Sequence, residues 1–196
     1  HLGQLLGICS IKHFEMPAAL HVYKGRWCFQ APKTKDEQGA MALFQSLHSK
    51  PTTVTATNLN LFYGCLPGNK LSSADAVRAY VQALLKAKHR TFVKLPRELW
   101  TEEWHKLGYK NPVVLLVQAL YGHPEAGAHW EDHLTAVLKE LGGDVLQSHP
   151  SAFWFPSTRM LLIVTDVLLS VPRLPSLLRK RMRTVSYTHL TLPTKA

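Results

Sequence analysis

Short runs of β-branched and aromatic residues recur along the chain, and each has the length of a β-strand. Two runs, at residues 152–155 and 160–169, are joined by a Pro-Ser-Thr segment, which predicts a hairpin. A continuous apolar run predicts a buried strand within residues 113–120. The other two predicted strands span residues 21–30 and 91–95.

Apolar residues spaced three and four positions apart predict three amphipathic helices, at residues 39–47, 74–88 and 125–141. The last has the clearest pattern, because its apolar spacing continues up to a Gly-Gly pair that ends the helix. Residues 52–63 fit either a strand or a helix, whereas the Gly and Pro content of residues 64–69 predicts a turn. The first 20 residues carry little pattern.

The order of these elements indicates the fold class. Strands alternate with helices and the series closes in an apolar hairpin, which is typical of an α+β domain with helices packed on a mostly antiparallel sheet. After Ser170 the composition changes abruptly, with six basic residues and no acidic residue in the last 26 positions. We therefore interpret residues 171–196 as a separate segment.

The charge of the chain points to a polyanionic partner. Its 196 residues, 46% of them hydrophobic, suffice for one sizeable core, and the formal net charge is +10. Such an excess of basic residues favours a nucleic acid or an acidic membrane surface. However, the part before residue 171 has 17 basic and 13 acidic residues, a net +4, so most of the excess lies in the basic C-terminal segment.

Cysteine usage and hydropathy narrow the class of protein. Three cysteines without a CxxC pair indicate neither a disulfide framework nor a thiolate zinc site, and they fit a reducing compartment. The apolar run at residues 160–170 is interrupted by Asp166 and is shorter than the roughly 20 residues of a membrane span. No targeting pattern is visible, so we expect an intracellular protein, cytoplasmic or nuclear, that is an internal piece of a longer product.

Two motifs resemble known sites only in part. Residues 64–70 (GCLPGNK) are one position short of a phosphate-binding loop, and Leu71 stands where that loop needs Ser or Thr. His129 and His133 lie four residues apart on a predicted helix and could share a zinc ion of a hydrolase. The residue after His129 is Trp130 instead of the required Glu, so two solvated histidines are the alternative interpretation.

Two aspartates occupy unusual positions. Asp75 lies where a strand would pass into a helix, and Asp166 interrupts an apolar strand, where a carboxylate is costly unless it faces a cleft or a cation. Asp75 could instead cap the N-terminus of the helix, and Asp166 could be a turn residue of the hairpin. Spacing alone leaves these alternatives open.

Four segments, in order, resemble motifs of copia-type retrotransposon reverse transcriptases. DAVRAYVQA (75–83) resembles DVKNAFLNG, and the segment at 119–142, which begins ALYGHPEAGAHW, is similar to ALYGLKQAPRAW. HPSAFWF (149–155) resembles the DPSLF strand, and LLIVTDVLLS (161–170) takes the place of LLVYVDDLLI. The sequence from YKGRWCFQ (23–30) to SADAVRAYVQ (73–82) is most similar to that of the copia-type elements of dinoflagellates. Four motifs in the correct order are far more specific than one short pattern.

The resemblance implies a right-hand polymerase fold, with fingers at the N-terminal side and the palm across the rest. It also implies RNA-directed DNA synthesis with two Mg²⁺ ions, a template with its primer, and deoxynucleoside triphosphates. Asp75, the backbone carbonyl of Ala76 and Asp166 correspond to the metal ligands, so Asp75 and Asp166 are the candidate catalytic residues. Such oxygen ligands suit Mg²⁺.

Further positions correspond to substrate-binding residues of the family. Tyr80 matches the aromatic residue that packs under the sugar of the incoming nucleotide, although a core tyrosine is the alternative. Arg26 lies in the region that binds the triphosphate, with Lys24 beside it. Tyr121 and Gly122 fall at the motif that supports the nascent base pair.

The chain departs from the family at the second aspartate of the catalytic pair. Val164 stands in place of the tyrosine and Val167 in place of that aspartate, and valine cannot bind a metal ion. LKQAP is also replaced by HPEAG at residues 123–127. We therefore expect this copy to be impaired or inactive, and a non-catalytic nucleic-acid-binding remnant of the same fold is the alternative function.

The resemblance covers residues 22–170. Residues 1–21 form a preceding segment, and residues 171–196 lie beyond the match. Part of that last segment, TVSYTHLTLPT, resembles a translated sequencing adapter, and a genuine basic tail is the alternative. A frameshift beside Asp166 would also account for Val167.

Overall fold

The computed structural model describes residues 1–45, 47, 52–69, 71, 73–76, 78–164 and 182–185. Within these residues the strands are β1 (Leu2–Lys12), β2 (Val22–Phe29), β3 (Ser73–Ala76), β4 (Phe92–Lys94), β5 (Val113–Leu115), β6 (Asp144–Leu146), β7 (His149–Phe155), β8 (Met160–Ile163) and β9 (Met182–Val185). The α-helices are α1 (Val54–Cys65), α2 (Glu102–Lys106) and α3 (Ala126–Glu140). Short 3₁₀ turns lie at Ala18–Leu20, Ala31–Lys33, Tyr80–Gln82 and Arg97–Leu99.

The chain forms two compact units, each made of two sequence segments. The first unit comprises His1–His48 and Tyr80–Trp130, and the second comprises Ser49–Ala79 and Glu131–Ala196. Both contain strands that pair mainly in the antiparallel sense. The predicted α+β class with mostly antiparallel sheets is therefore confirmed.

The first unit contains a four-stranded sheet in the order β2-β1-β4-β5. β1 pairs antiparallel with β2 along eight residues and parallel with β4 along Leu2–Gln4 only. The predicted strands at residues 21–30 and 91–95 are confirmed as β2 and β4, whereas only the first three residues of the predicted strand at 113–120 form a strand, β5. The prediction of burial was wrong for β5, since Val113 and Leu115 are 45% and 44% exposed.

The predicted helix at residues 39–47 was wrong. Residues 39–45 are irregular, and Met41 forms an isolated β-bridge with Lys35. The backbone N–H of Ala42 donates to the carbonyl oxygen of Thr34 at 3.0 Å. Backbone pairing with the preceding loop thus outweighs the helical spacing of the apolar residues.

The predicted helix at residues 74–88 was also wrong. Its first residues lie in β3, and one 3₁₀ turn follows at Tyr80–Gln82. The next residues bond to a distant segment, because the N–H of Leu85 donates to Val117 and the N–H of Ala119 donates to Ala83, both at 2.9 Å. Non-local hydrogen bonds therefore replace the helical ones.

The second unit contains the larger apolar core. The antiparallel sheet β6-β7-β8 packs one face against α3, and the core side chains are Leu138, Phe153, Phe155, Met160 and Leu162. The predicted helix at residues 125–141 and the hairpin at residues 152–169 are confirmed as α3 and as β7 with β8, within the residues described. A separate pair, β3 and β9, is antiparallel with Asp75 opposite Arg183.

The ambiguous segment at residues 52–63 is helical and forms most of α1. Its start is fixed by Thr53, whose side-chain oxygen accepts a hydrogen bond from the N–H of Ala56 at 3.2 Å. The buried residues of α1 are Ala56, Asn60 and Gly64, spaced four apart, so a stripe of small residues faces the unit's interior. The first two residues of the predicted turn at residues 64–69 belong to α1, and the turn follows at residues 66–69, with Gly68 at φ +85°.

The helices described here are all too short or too polar to cross a bilayer. This finding covers only the described part of the chain.

Candidate functional site

Three of the predicted substrate-binding residues meet in the first unit. The guanidinium carbon of Arg26, on β2, lies 6.0 Å from the ring centroid of Tyr121, within the range of a cation–π contact. The rings of Tyr80 and Tyr121 meet edge to face, with centroids 4.8 Å apart and planes at 67°. Residues far apart in the sequence therefore form one cluster, which we call the Arg26–Tyr121–Tyr80 cluster.

Tyr80 also takes part in a small apolar core. It packs against three buried alanines, Ala83, Ala119 and Ala126. The tyrosine is half-buried, so its ring contributes both to this core and to the surface around Tyr121. The alternative of a core tyrosine is thus seen in its contacts, and the role under a nucleotide sugar stays a prediction.

The turn that carries Tyr121 and Gly122 lies directly against β2. The backbone N–H of Phe29 donates to the carbonyl oxygen of Tyr121 at 2.7 Å. Gly122 has φ +85°, a conformation that favours glycine. A Cβ atom at residue 122 would lie 2.3 Å from the carbonyl oxygen of Phe29, so only glycine permits this approach.

A buried histidine supports the same turn, and the sequence motifs assign it no role. His123 is 4% exposed, and its ring contacts Phe29 and Phe44 at centroid distances of 4.9 and 5.1 Å. Its Nδ1 accepts from the N–H of Glu125 at 3.2 Å, so the neutral ring carries its proton on Nε2, 3.3 Å from Oγ1 of Thr91. Burial lowers the pKa of His123 to about 4.

Two electrostatic neighbours modify the pKa of His123. Burial has the largest effect. The carboxylate of Glu125 has the second largest and raises the pKa, and His129 lowers the pKa by a smaller amount. No sequence signal identifies this histidine, because its role depends on contacts with β2 and with the loop that carries Phe44.

Glu125 connects the start of α3 to a distant loop. Its side chain is buried at 4% exposure, and Oε1 accepts from the backbone N–H of Gln45 at 3.0 Å. Oε2 lies 4.0 Å from Nε2 of His129, which is itself buried and without a hydrogen bond among the described residues. His129 of α3 thus faces the carboxylate of Glu125, the residue that directly precedes the helix.

The structure gives no support to a zinc site on this helix. Within the described part of the chain, no three His, Cys, Asp or Glu side chains lie close enough together to hold a metal ion. His133 is half-buried and has contacts of its own.

The predicted metal ligands belong to the second unit. Asp75 and Ala76 lie in β3, where Asp75 is opposite Arg183 and Ala76 is opposite Met182. Asp75 therefore does not cap a helix, and that alternative was wrong. Asp166 and Val167 lie outside the described residues, whereas Val164 is half-buried and its N–H donates to Ser151 at 2.8 Å.

Lys24 lies on β2, directly opposite Ser10 of β1. It is half-buried and forms contacts of its own. Its neighbour along the strand on the same face is Arg26, so the two predicted triphosphate-binding residues share one face of the hairpin.

Comparisons of the chain with protein-family models, with curated proteins and with solved structures gave no match.

Proposed function

We propose that this chain is a fragment of the reverse transcriptase domain of a copia-type retrotransposon polyprotein. The sequence support is the set of four motifs in the family's order. The observation that carries the proposal is the Arg26–Tyr121–Tyr80 cluster. The resemblance assigns Arg26 to the triphosphate, Tyr80 to the sugar and Tyr121 to support of the nascent base pair, and the fold brings the three residues into contact.

The α+β architecture is compatible with fingers at the N-terminal side and a palm across the rest. In this proposal the hairpin of β1 and β2 belongs to the fingers and presents Lys24 and Arg26. The hairpin of β7 and β8 belongs to the palm, and Asp166 follows β8 in the sequence, outside the described residues.

The chemistry of the Arg26–Tyr121–Tyr80 cluster suits a nucleoside triphosphate. A guanidinium that rests on an aromatic ring keeps its planar edge for paired hydrogen bonds to phosphate oxygens. Tyr80 offers a flat apolar surface to a sugar, and the turn at Gly122 lets backbone approach a base pair closely.

The donor set proposed for the metal ions consists of oxygen atoms, which Mg²⁺ prefers. Asp75 and Asp166 supply carboxylates and Ala76 a backbone carbonyl. When bound, the ions supply positive charge that stabilises the reacting phosphate. Val167 supplies no ligand, so we expect the rate of synthesis to fall by orders of magnitude from that of a complete site.

Val167 also favours the second candidate function, a nucleic-acid-binding remnant without catalysis. Such a remnant would keep the fold and a template groove. Its binding would depend mainly on salt, because phosphate contacts release counterions, whereas synthesis requires the divalent ion.

Primer extension on a labelled template–primer duplex tests the proposal. We expect the wild-type chain to bind the duplex with little extension, and V167D to extend the primer in Mg²⁺ or Mn²⁺. Asp75→Asn in the V167D background should abolish that extension while binding persists. Binding without extension by V167D supports the remnant, and absence of binding by all variants overturns both functions.

A further inference from the structure

The hairpin of β1 and β2 has an open backbone edge. β4 covers β1 only along Leu2–Gln4, and from Leu5 to Lys12 no strand pairs with β1 on that side among the described residues. β1 is the longest strand described, and its residues from Leu6 onward are exposed. An edge of this length is a template for one more strand.

The backbone groups at this edge follow from strand alternation, in which successive residues direct their N–H and C=O groups to opposite sides. The carbonyl of Gln4 accepts from Gln30, which directly follows β2, so even-numbered residues point toward β2. The carbonyl of His1 accepts from Phe92 of β4, so odd-numbered residues point the other way. The open edge therefore presents the N–H and C=O groups of Leu5, Gly7, Cys9 and Ile11.

The two faces of the hairpin differ in charge. Residues directly opposite each other in an antiparallel pair have their side chains on the same face, so the register of β1 and β2 shows on which face each side chain lies. All three cations of the paired segments, Lys12, Lys24 and Arg26, lie on one face. The opposite face carries no charge; its residues are Leu5, Gly7, Cys9, Ile11, Tyr23, Gly25, Trp27 and Phe29.

The uncharged face presents apolar and aromatic surface to solvent. Tyr23 is 72% exposed and Ile11 is 37% exposed. The ring of Trp27 lies across Gly7, where a Cβ atom would be 3.1 Å from the ring. This side of the hairpin is therefore a flat surface on which apolar side chains can pack.

We propose that the open edge of β1 binds an extended peptide in which acidic residues alternate with apolar residues. The peptide adds a strand about 4.8 Å from β1 and bonds to the four outward-facing residues. Its acidic side chains lie on the face of Lys12 and its apolar side chains on the face of Ile11 and Tyr23. Lys24 and Arg26 lie on the same face as Lys12, one strand farther from the edge.

Charge and backbone geometry favour this occupant. A second copy of the chain would bring a second set of cations to the edge, whereas an acidic strand complements them. A nucleic acid would satisfy the cations but has no row of donors and acceptors with the period of a strand. The proposal is independent of the polymerase function.

Backbone methylation provides the most specific test. The probe is a fluorescent eight-residue peptide of alternating Glu and Val, titrated into the full chain by anisotropy. In one variant every Val nitrogen is N-methylated, and in another every Glu nitrogen. Because only one set of N–H groups faces β1, we expect one variant to bind like the parent and the other to bind at least tenfold more weakly.

A charge variant provides the second test. Lys12→Glu should weaken binding of the Glu-Val peptide threefold or more, and a Lys-Val peptide should not bind to the wild-type chain. Lys110→Glu, at an exposed position elsewhere in the first unit, is the matched control and should leave binding unchanged. Equal affinity of both methylated peptides, no binding of the parent peptide, or displacement of the peptide by dimerisation of the chain would overturn the proposal.

Discussion

The carbonyl oxygen of Phe29 lies where a side chain at residue 122 would begin, 2.3 Å from the position of a Cβ atom on Gly122. The same strand residue donates its N–H to the carbonyl of Tyr121 at 2.7 Å. One backbone contact thus fixes the turn against β2 and places Tyr121 beside Arg26. The geometry of the Arg26–Tyr121–Tyr80 cluster therefore depends on a glycine that has no side chain to contribute to it.

We expect Gly122→Ala to destabilise the first unit by about 1–3 kcal/mol or more, because the substitution combines a positive φ with a clash against backbone. The measurement is urea denaturation followed by circular dichroism. Gly127→Ala is the matched control: that residue lies in α3 with open space around it. Since alanine is the better helix former by about 1 kcal/mol, the control should be neutral or stabilising. Equal destabilisation by both substitutions would contradict the role given to the turn.

A second prediction concerns the pH dependence of stability. The pKa of His123 is about 4 in the folded chain, whereas the exposed ring of the unfolded chain has the ordinary histidine pKa of 6.5. Between these two pH values the unfolded chain therefore binds more protons at this residue than the folded chain does. The contribution of the neutral His123 ring to the free energy of unfolding is therefore complete above pH 6.5. It declines as the pH falls toward 4, where the buried ring must accept a charge.

The prediction is tested by comparing urea midpoints at pH 4.5 and 7.0. His123→Gln should reduce the difference between the two midpoints, because the titrating group is gone. His105→Gln, at an exposed position of α2, is the control and should keep the wild-type difference. If the two urea midpoints of His123→Gln differ by as much as those of the wild-type chain, other groups govern the acid sensitivity.

Local pattern predicted α3 and the hairpin of β7 and β8 well. The apolar residues of α3, such as Leu134 and Leu138, face one packed sheet, so their spacing is regular. The apolar run of β8 is buried from Met160 to Ile163, and a Pro-containing turn separates it from β7. Where one face of an element is buried, its period is visible in the sequence.

The first unit was less predictable because pairing between distant segments determines it. β1 has apolar residues on both faces, such as Leu6 and Leu5, so it has no period of two. The segment after β3 has a helical stripe but pairs through Leu84 with Gln118. The contact between Gly122 and Phe29, and the burial of His123, likewise depend on tertiary structure and leave no local signal.

A third prediction tests the stripe of small residues on α1. Ala56 is 1% exposed and packs with Ala152 and Ile163, so Ala56→Leu should destabilise the second unit by about 1–3 kcal/mol through overpacking. Val54→Leu, at a position that is 77% exposed, is the control and should change stability little. Thermal unfolding of the two variants gives the comparison. Tolerance of leucine at residue 56 would mean that α1 does not pack through this stripe.

The final prediction separates charge from geometry in the Arg26–Tyr121–Tyr80 cluster. Arg26→Lys keeps the positive charge but loses the planar group that stacks on Tyr121 and forms paired hydrogen bonds. If the cluster binds a triphosphate, the affinity for a deoxynucleoside triphosphate measured by calorimetry should fall about tenfold, as expected for loss of one bidentate contact.

The chain offers a matched control, since Arg97 lies over the ring of Trp100 at 5.6 Å in the same unit. Arg97→Lys disturbs an equivalent stacked pair for which no ligand is proposed, so this substitution should leave the nucleotide affinity unchanged. If both lysine variants lower the affinity equally, the effect comes from the overall charge distribution and the cluster is not the binding site. If only Arg26→Lys lowers it, the orientation of the guanidinium on Tyr121 is what the nucleotide requires.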